Sequence, residues 1–352
     1  MSARAVPLLL GIVCAILMLA ALYLAGAIFA PVFCALFIIA IVWPLQNRLQ
    51  THLPQLLALA IVVVLIALAF AVFASVVAWG FGRIGRSLIA ETPRLQGLYE
   101  QAIAWLEMHG IAVAGLWAEH FNMRWVVGAV QGLSARLNTM ISFWIVVLIY
   151  VLLGLLEVGP MARRIPGIVS SEAARILLVG SNRTAAKLRR YLWIRTIMSV
   201  ATGVTVYALA VMLGLQLAPE WGVIAFTLNF IPFVGPFIAT LLPTFYALAQ
   251  FESLSSALFV FACLNLIQFA IGSYVEPRVA GNALALSPFL VLFSVFLWMY
   301  LWGLFGAFIG VPIAIAVLTF CAQSPATEWL AQLLGAPDGE VNGVSSGRER
   351  EG

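Results

Sequence analysis

Long apolar runs separated by short polar stretches extend along almost the whole chain. The runs cover about 6–25, 28–45, 55–80, 139–157, 193–217, 220–250, 257–275 and 286–321. A helix needs roughly 20 apolar residues to cross a hydrocarbon core about 30 Å thick. The pattern therefore predicts an all-α fold, a polytopic transmembrane helical bundle of eight spans. The first two runs meet at Gly26, which predicts a tight helical hairpin. The sixth and eighth are too long for one plain crossing and carry internal proline and glycine, which predicts two broken or re-entrant segments.

The polar stretches carry structure of their own. Between Arg83 and Asn138, Leu95, Leu98, Tyr99, Ala102, Ile103 and Leu106 recur at helical spacing. Met123, Val126, Val127 and Val130 suggest a second amphipathic helix. His109 and His120 lie in this segment and read as packing or surface residues. From Glu172 to Leu192 a two-faced helix is expected. Ala173, Ile176, Leu177, Gly180, Thr184, Leu188, Tyr191 and Leu192 share one side, and Arg175, Arg183, Lys187, Arg189 and Arg190 the other. Such a helix can lie on an anionic leaflet. Residues 1–325 then form one membrane domain with external helices at 83–138 and a basic cytoplasmic helix within 159–192. Residues 326–352, rich in Gly, Ser, Glu and Arg, form a mostly disordered tail.

Composition sharpens this picture. Of 352 residues, 64% are hydrophobic and 9% charged, against about 25% charged in an ordinary soluble domain. Of 18 basic residues, eight fall between Arg163 and Arg195. Such clustering marks a cytoplasmic loop and not a nucleic-acid surface. It places both termini in the cytoplasm and 83–138 outside. Arg4 followed by an apolar run reads as a signal anchor, because a second apolar run follows at once. Cys14, Cys34, Cys263 and Cys321 sit singly in apolar runs, so neither a disulfide framework nor a metal site is indicated.

Enzyme readings find no support. The chain has no HExxH, GxSxG or Walker A pattern, and its one aspartate, Asp338, lies in the tail. No cofactor is implied. Transport or conduction remains.

Two kinds of site are candidates. In the broken runs, Asn229, Pro232, Gly235 and Pro236 in the sixth, and Gly306, Gly310 and Pro312 in the eighth, interrupt the helix. Carbonyls near Leu228, Pro232 and Ala239 are expected to lack helical partners and to face a solute or a cavity. The competing role is close packing, since Gly306 and Gly310 form GxxxG. In the seventh run, Asn265, Gln268, Gly272 and Glu276 fall on one face of an α-helix. They line a polar path or hydrogen-bond between helices. Glu276 and Arg278 flank Pro277 and either latch together or meet the solute. Arg175, Arg183, Lys187 and Arg190 are candidates for lipid anchoring or gating.

The run from Trp221 through Asn229 and Pro232 to Gly235-Pro236 resembles the autoinducer-2 exporter family, the PerM-like permeases. Glu276-Pro-Arg-Val-Ala-Gly281, Leu284, Leu286, Ser287-Pro288, Trp302-Gly303, Phe305-Gly306 and Gly310-Val311-Pro312 add to the resemblance. It covers about residues 10–325. It implies eight spans, a bacterial inner membrane and a homo-oligomer, with a pentamer among the sizes expected. It further implies export of the quorum-sensing furanone autoinducer-2 or, for other members, sodium/proton antiport. Leu297-Trp298-Met299-Tyr300 departs from a more glycine-rich stretch common in the family.

Three functions therefore stand. The leading one is a secondary transporter exporting a small polar solute. The second is a monovalent-cation/proton antiporter. The third is a membrane scaffold that binds a partner through 83–138.

Overall fold

The computed structural model describes residues 5–91, 93–94, 96–97, 100, 107–108, 124–280 and 286–335, with side chains omitted for 5–8, 124–141 and 280. The amphipathic pattern at 95–106, His109, His120, Met123, the side chains of Val126, Val127 and Val130, the Gly281 and Leu284 motif positions and the tail beyond Gly335 lie outside the described residues.

All the extended elements described are helices. They are α1 (Ala5–Leu24), α2 (Gly26–Gln50), α3 (Gln55–Ala90), α4 (Arg124–Ile168), α5 (Ser171–Met212), α6 (Ala218–Leu228), α7 (Val234–Phe251) and α8 (Leu254–Ala270). A π-helical turn, Ile271–Val275, leads from α8 into α9 (Glu276–Ala280). After these come α10 (Pro288–Cys321) and α11 (Glu328–Leu334). Seven segments are long and apolar enough to cross a membrane, and α1 adds the shorter apolar stretch Leu9–Leu24. α1 and α2 are separated at Ala25, immediately before Gly26.

Two sequence expectations change. The 172–192 helix is not a separate surface element. It forms the first half of the 42-residue α5, which continues to Met212. Likewise the 139–157 span is part of the 45-residue α4. At about 1.5 Å per residue these helices run to roughly 60 Å, twice the hydrocarbon thickness. The reason is local. Hydropathy changes at Leu192–Trp193, but no glycine or proline breaks the helix there. One buried face runs through Leu188, Tyr191, Arg195, Ser199 and Thr202.

The chain forms two compact units. The first comprises 1–65, 143–192 and 280–352, the second 66–142 and 193–279. In the first unit, Ala30, Trp298, Leu301, Trp302 and Ile309 make an apolar core, joined by Phe33 and Phe143. In the second, Val206, Ala210, Trp221, Ile224, Leu228, Tyr246, Val260 and Leu264 do so.

Each unit contains a helical hairpin where the sequence predicts a broken span. In the first unit, α10 reverses at Trp302 (φ −132°) and Gly303 (φ 65°, ψ −144°), a conformation open to glycine and not to L side chains. Gly306 then packs on the carbonyl of Trp298 and Gly310 on that of Ser294. In a straight helix residues 294 and 310 would lie about 24 Å apart. At the open end, Ser287 N–H donates to the Leu334 carbonyl at 3.2 Å. In the second unit, α6 and α7 fold back on each other, with Gly235 on the carbonyl of Leu228. Their open end is tied by Gln250, whose amide accepts from Gln216 N–H and donates to the Gly214 carbonyl, both at 2.8 Å. Beside it the Trp221 and Tyr246 rings lie 5.5 Å apart.

Candidate functional site: a buried polar face in the second unit

In the second unit α5 is antiparallel to α8. Counting reversals shows this, since α6, α7 and α8 each turn back on the preceding element. The contacts agree: Arg195 meets Glu276, and Val206 and Ala210 share the core with Leu264 and Val260. α5 also touches α6 closely, because Gly203 and Gly222 leave no room for a β-carbon on either side. That approach brings the α6–α7 tip against α5.

Arg195, Ser199 and Thr202 occupy one buried face of α5, at i, i+4 and i+7. Arg195 Nη1 lies 3.1 Å from Glu276 Oε1 and 3.3 Å from Oε2. Both carboxylate oxygens thus lie within reach of Arg195 Nη1. One turn further along α5, Ser199 Oγ accepts from Asn229 Nδ2 at 3.2 Å. Asn229 is buried and forms the C-cap of α6, at the hairpin tip. One turn beyond, Thr202 is fully enclosed and its hydroxyl has no hydrogen-bond partner. The Gln268 Nε2 of α8 is likewise buried without one. Seven residues separate Thr202 from Arg195 and eight separate Gln268 from Glu276, so antiparallel helices set the two at about the same level.

The path predicted from sequence is therefore brought together in part. Asn229 and Glu276 meet the α5 face, and Gln268 lies on α8 about level with Thr202. Asn265 does not: it is exposed, and its amide bonds back to the Phe261 carbonyl at 2.8 Å. Gly272 faces open space. The uniform stripe fails because Leu264 and Ile271, not Asn265, define the buried face of α8, and the π-turn then shifts the helical phase before Glu276. The Glu276–Arg278 latch is also corrected. Glu276 pairs with Arg195, and Arg278 is exposed.

The carbonyls expected to be free at Leu228 and Pro232 are occupied. Ile231 N–H donates to Leu228 at 2.9 Å and Val234 N–H to Pro232 at 2.7 Å. The second bond closes a three-residue turn about Phe233, whose φ of 62° and ψ of −54° are costly for an L residue. The tip thus satisfies itself by a strained turn and offers no carbonyl to a ligand at these two positions. Pro232 is buried there and Pro236 half-buried. Gly306, Gly310 and Pro312 are buried in the α10 hairpin of the first unit, where the two glycines pack backbone on backbone. Arg183 donates to the buried Gln323 at 3.2 Å, and Arg175, Lys187 and Arg190 are exposed.

Arg195, Ser199 and Thr202 are missed by a reading that divides α5 at the change of hydropathy. Their i, i+4, i+7 spacing, with no proline anywhere from Ser171 to Met212, is the signal that finds them. Glu220 is missed too: 1% exposed in the first turn of α6, it pairs with Arg83 at 2.9 Å.

Residues 12–326 match the model of the AI-2E family transporters. The chain belongs to that family. It is 28% identical over 323 residues to the "AI-2 transport protein TqsA" of Escherichia coli strain K12, covering 91% of this chain and 92% of that one. It is 25% identical over 336 residues to the same organism's "Putative transport protein YhhT", covering 93% and 94%. This AI-2E family transporter is thus a multi-span membrane protein, matched along nearly its full length.

Proposed function

We propose that this transporter exports a small polar organic solute of the autoinducer-2 type across the bacterial inner membrane, with both termini in the cytoplasm. One observation carries the reading. The buried faces of α5 and α8 hold two enclosed hydrogen-bonding groups, Thr202 Oγ1 and Gln268 Nε2, that the protein itself leaves unanswered. A buried polar group without a partner costs about 1–3 kcal/mol, and in an otherwise apolar helical protein such groups mark pathways. Hydroxyl, carboxamide and guanidinium groups together suit a neutral or weakly anionic solute rich in oxygen. The name of the relative TqsA supports autoinducer-2 as the first solute to test.

In this reading Asn229, Gln268 and Glu276 line the path with Ser199, Thr202 and Arg195. Pro232, Gly235 and Pro236 build the tip that carries Asn229. Arg175, Lys187 and Arg190 hold anionic lipid at the cytoplasmic side, and copies of the chain assemble into a homo-oligomer. A second reading, monovalent-cation/proton antiport, has one observation in its favour: Glu276 is a carboxylate on this face and its side chain is 31% exposed. Uptake by inverted proteoliposomes of labelled autoinducer-2, of sodium and of protons, each measured separately, decides between them. Autoinducer-2 uptake without sodium-dependent proton movement is expected. The reverse result overturns the export reading.

A further inference from the structure

Glu220 is the one buried carboxylate among the described residues. It lies in the first turn of α6 and is 1% exposed. A carboxylate out of water stays charged only beside a counter-charge or under several hydrogen bonds. Glu220 Oε1 is enclosed and accepts no hydrogen bond. Its counter-charge is Arg83, whose Nη1 lies 2.9 Å from that oxygen. The two partners differ in freedom. Arg83 is half-exposed and lies over the Trp79 ring, so its head can turn into water. Glu220 cannot follow. Trp221 beside it is buried against Tyr246, and Gly222 packs on the Gly203 carbonyl of α5. When Arg83 turns away, the carboxylate must take a proton. Protonation of Glu220 and release of Arg83 are therefore one event.

α6 holds no other charged residue, α7 and α8 hold none, and α5 has none beyond Arg195. The other charged groups at this end of the unit are Arg86, exposed on α3, and Arg94, which pairs with Glu91 at 3.0 Å and Glu252 at 3.7 Å. The phenols nearby are Tyr207, against Gly222, and Tyr246, which is hydrogen-bonded to Ser87 and Gln216. α6 joins the ion pair to the path, because its other end carries Asn229, the donor to Ser199. The Gly222–Gly203 contact lies between the two, a bare backbone surface on which α6 can pivot.

We propose that Glu220 is the proton-coupling carboxylate of this transporter. A proton neutralises it, Arg83 is released to water, and the start of α6 comes free of α3. The tip with Asn229 then moves against the path, so that entry of protons drives export of the solute. The pair gains one positive charge with the proton and loses it when the proton leaves and Arg83 returns. The proposal rests on the transport reading above and adds to it the coupling ion.

Four proteins test it: wild type, Glu220→Gln, Arg83→Ala and the double variant. In proteoliposomes with the membrane potential clamped, an imposed pH gradient should make wild type accumulate labelled autoinducer-2. At one proton per solute the accumulation is about tenfold per pH unit. An autoinducer-2 gradient should in turn move protons the opposite way, read with trapped pyranine. Glu220→Gln keeps the shape and is neutral at every pH. It should carry autoinducer-2 down its gradient only, accumulate none and move no protons. Accumulation by Glu220→Gln at the wild-type level overturns the proposal, and so does wild-type flux without proton movement. The link between the proton and Arg83 is read apart from flux, by thermal midpoints in detergent. In Arg83→Ala the carboxylate is buried without a counter-charge, and a proton removes the charge. The penalty is thus present at high pH and relieved as pH falls. The midpoint deficit of Arg83→Ala should shrink from about pH 8 to about pH 5, and that of the double variant should not change. A deficit of Arg83→Ala that is constant with pH overturns the proposal whatever the flux. A deficit that shrinks as expected, with no autoinducer-2 flux in wild type, overturns the transport reading instead.

Discussion

Gly310 packs so closely on the Ser294 carbonyl that a β-carbon at 310 would lie 2.8 Å from that oxygen. One turn nearer the tip, Gly306 meets the Trp298 carbonyl in the same way. The four-residue spacing on both arms shows what GxxxG does in this chain. It lets two arms of one element touch backbone to backbone. Apolar side chains gain nothing from mutual contact in lipid, so association in a membrane depends on this kind of close fit.

Gly306→Leu is therefore expected to open the α10 hairpin. The β-carbon alone overlaps the opposing carbonyl, so no rotamer relieves the clash, and the cost should exceed the 1–3 kcal/mol typical of overpacking. Thermal unfolding in detergent should show a large fall in midpoint. Leu304→Ala, at an exposed position of the same element, should leave it unchanged. Equal midpoints for the two variants would dismiss the packing argument.

Glu220 offers a second test. It is 1% exposed, and its ion pair with Arg83 joins the start of α6 to α3. Arg83 is half-exposed and also lies over the Trp79 ring at 5.7 Å. Arg83→Ala leaves a carboxylate buried without its counter-charge and should destabilise by on the order of 2 kcal/mol. Adding Glu220→Gln removes that charge and should recover most of the loss. A double variant as unstable as the single one would show that cation–π packing, and not the pair, holds the corner.

The basic stretch yields a topology test. Clustered arginines are retained in the cytoplasm. A cysteine replacing Arg175 should therefore stay unlabelled by an impermeant thiol reagent in intact cells, and one replacing Glu107 should react. Labelling at 175 would invert the topology and with it the expected direction of transport.

Much of this was legible in the residues. Apolar runs of membrane length and the Pro/Gly breaks of the sixth and eighth dictate helices and hairpins without tertiary knowledge. The site was less so, for two physical reasons. Hydropathy separates residues by solvent, whereas helices end only at breakers, so the basic and apolar halves of α5 looked like two elements and Arg195 fell at their border. A regular 100° step also cannot anticipate a π-turn. Carried unchanged from Asn265 to Glu276, it placed both on one face, where the fold keeps Glu276 inward and turns Asn265 out. The unpaired carbonyls expected at Leu228 and Pro232 failed likewise, because a proline-containing tip can close on its own N–H groups through a tight turn.

Thr202 and Asn265 now separate solute binding from structural glue. The Thr202 hydroxyl is enclosed and without a partner. Thr202→Val keeps the shape and replaces an unsatisfied polar group by a methyl, so the protein should be equally stable or more so. If the hydroxyl serves the solute, flux should nonetheless fall, by about tenfold for a contact worth 1.4 kcal/mol. Asn265 is exposed and its amide already bonds to its own helix, so Asn265→Ala should alter neither stability nor flux. Asn229→Ala removes the bond to Ser199 across the α6 tip. It should lower both, stability modestly, since interhelical hydrogen bonds in membranes average about 0.6 kcal/mol. Thermal midpoints and initial transport rates measured side by side give the decision. A stabilised Thr202→Val that transports at the wild-type rate would remove the α5 face from the path and leave its empty hydroxyl without a function.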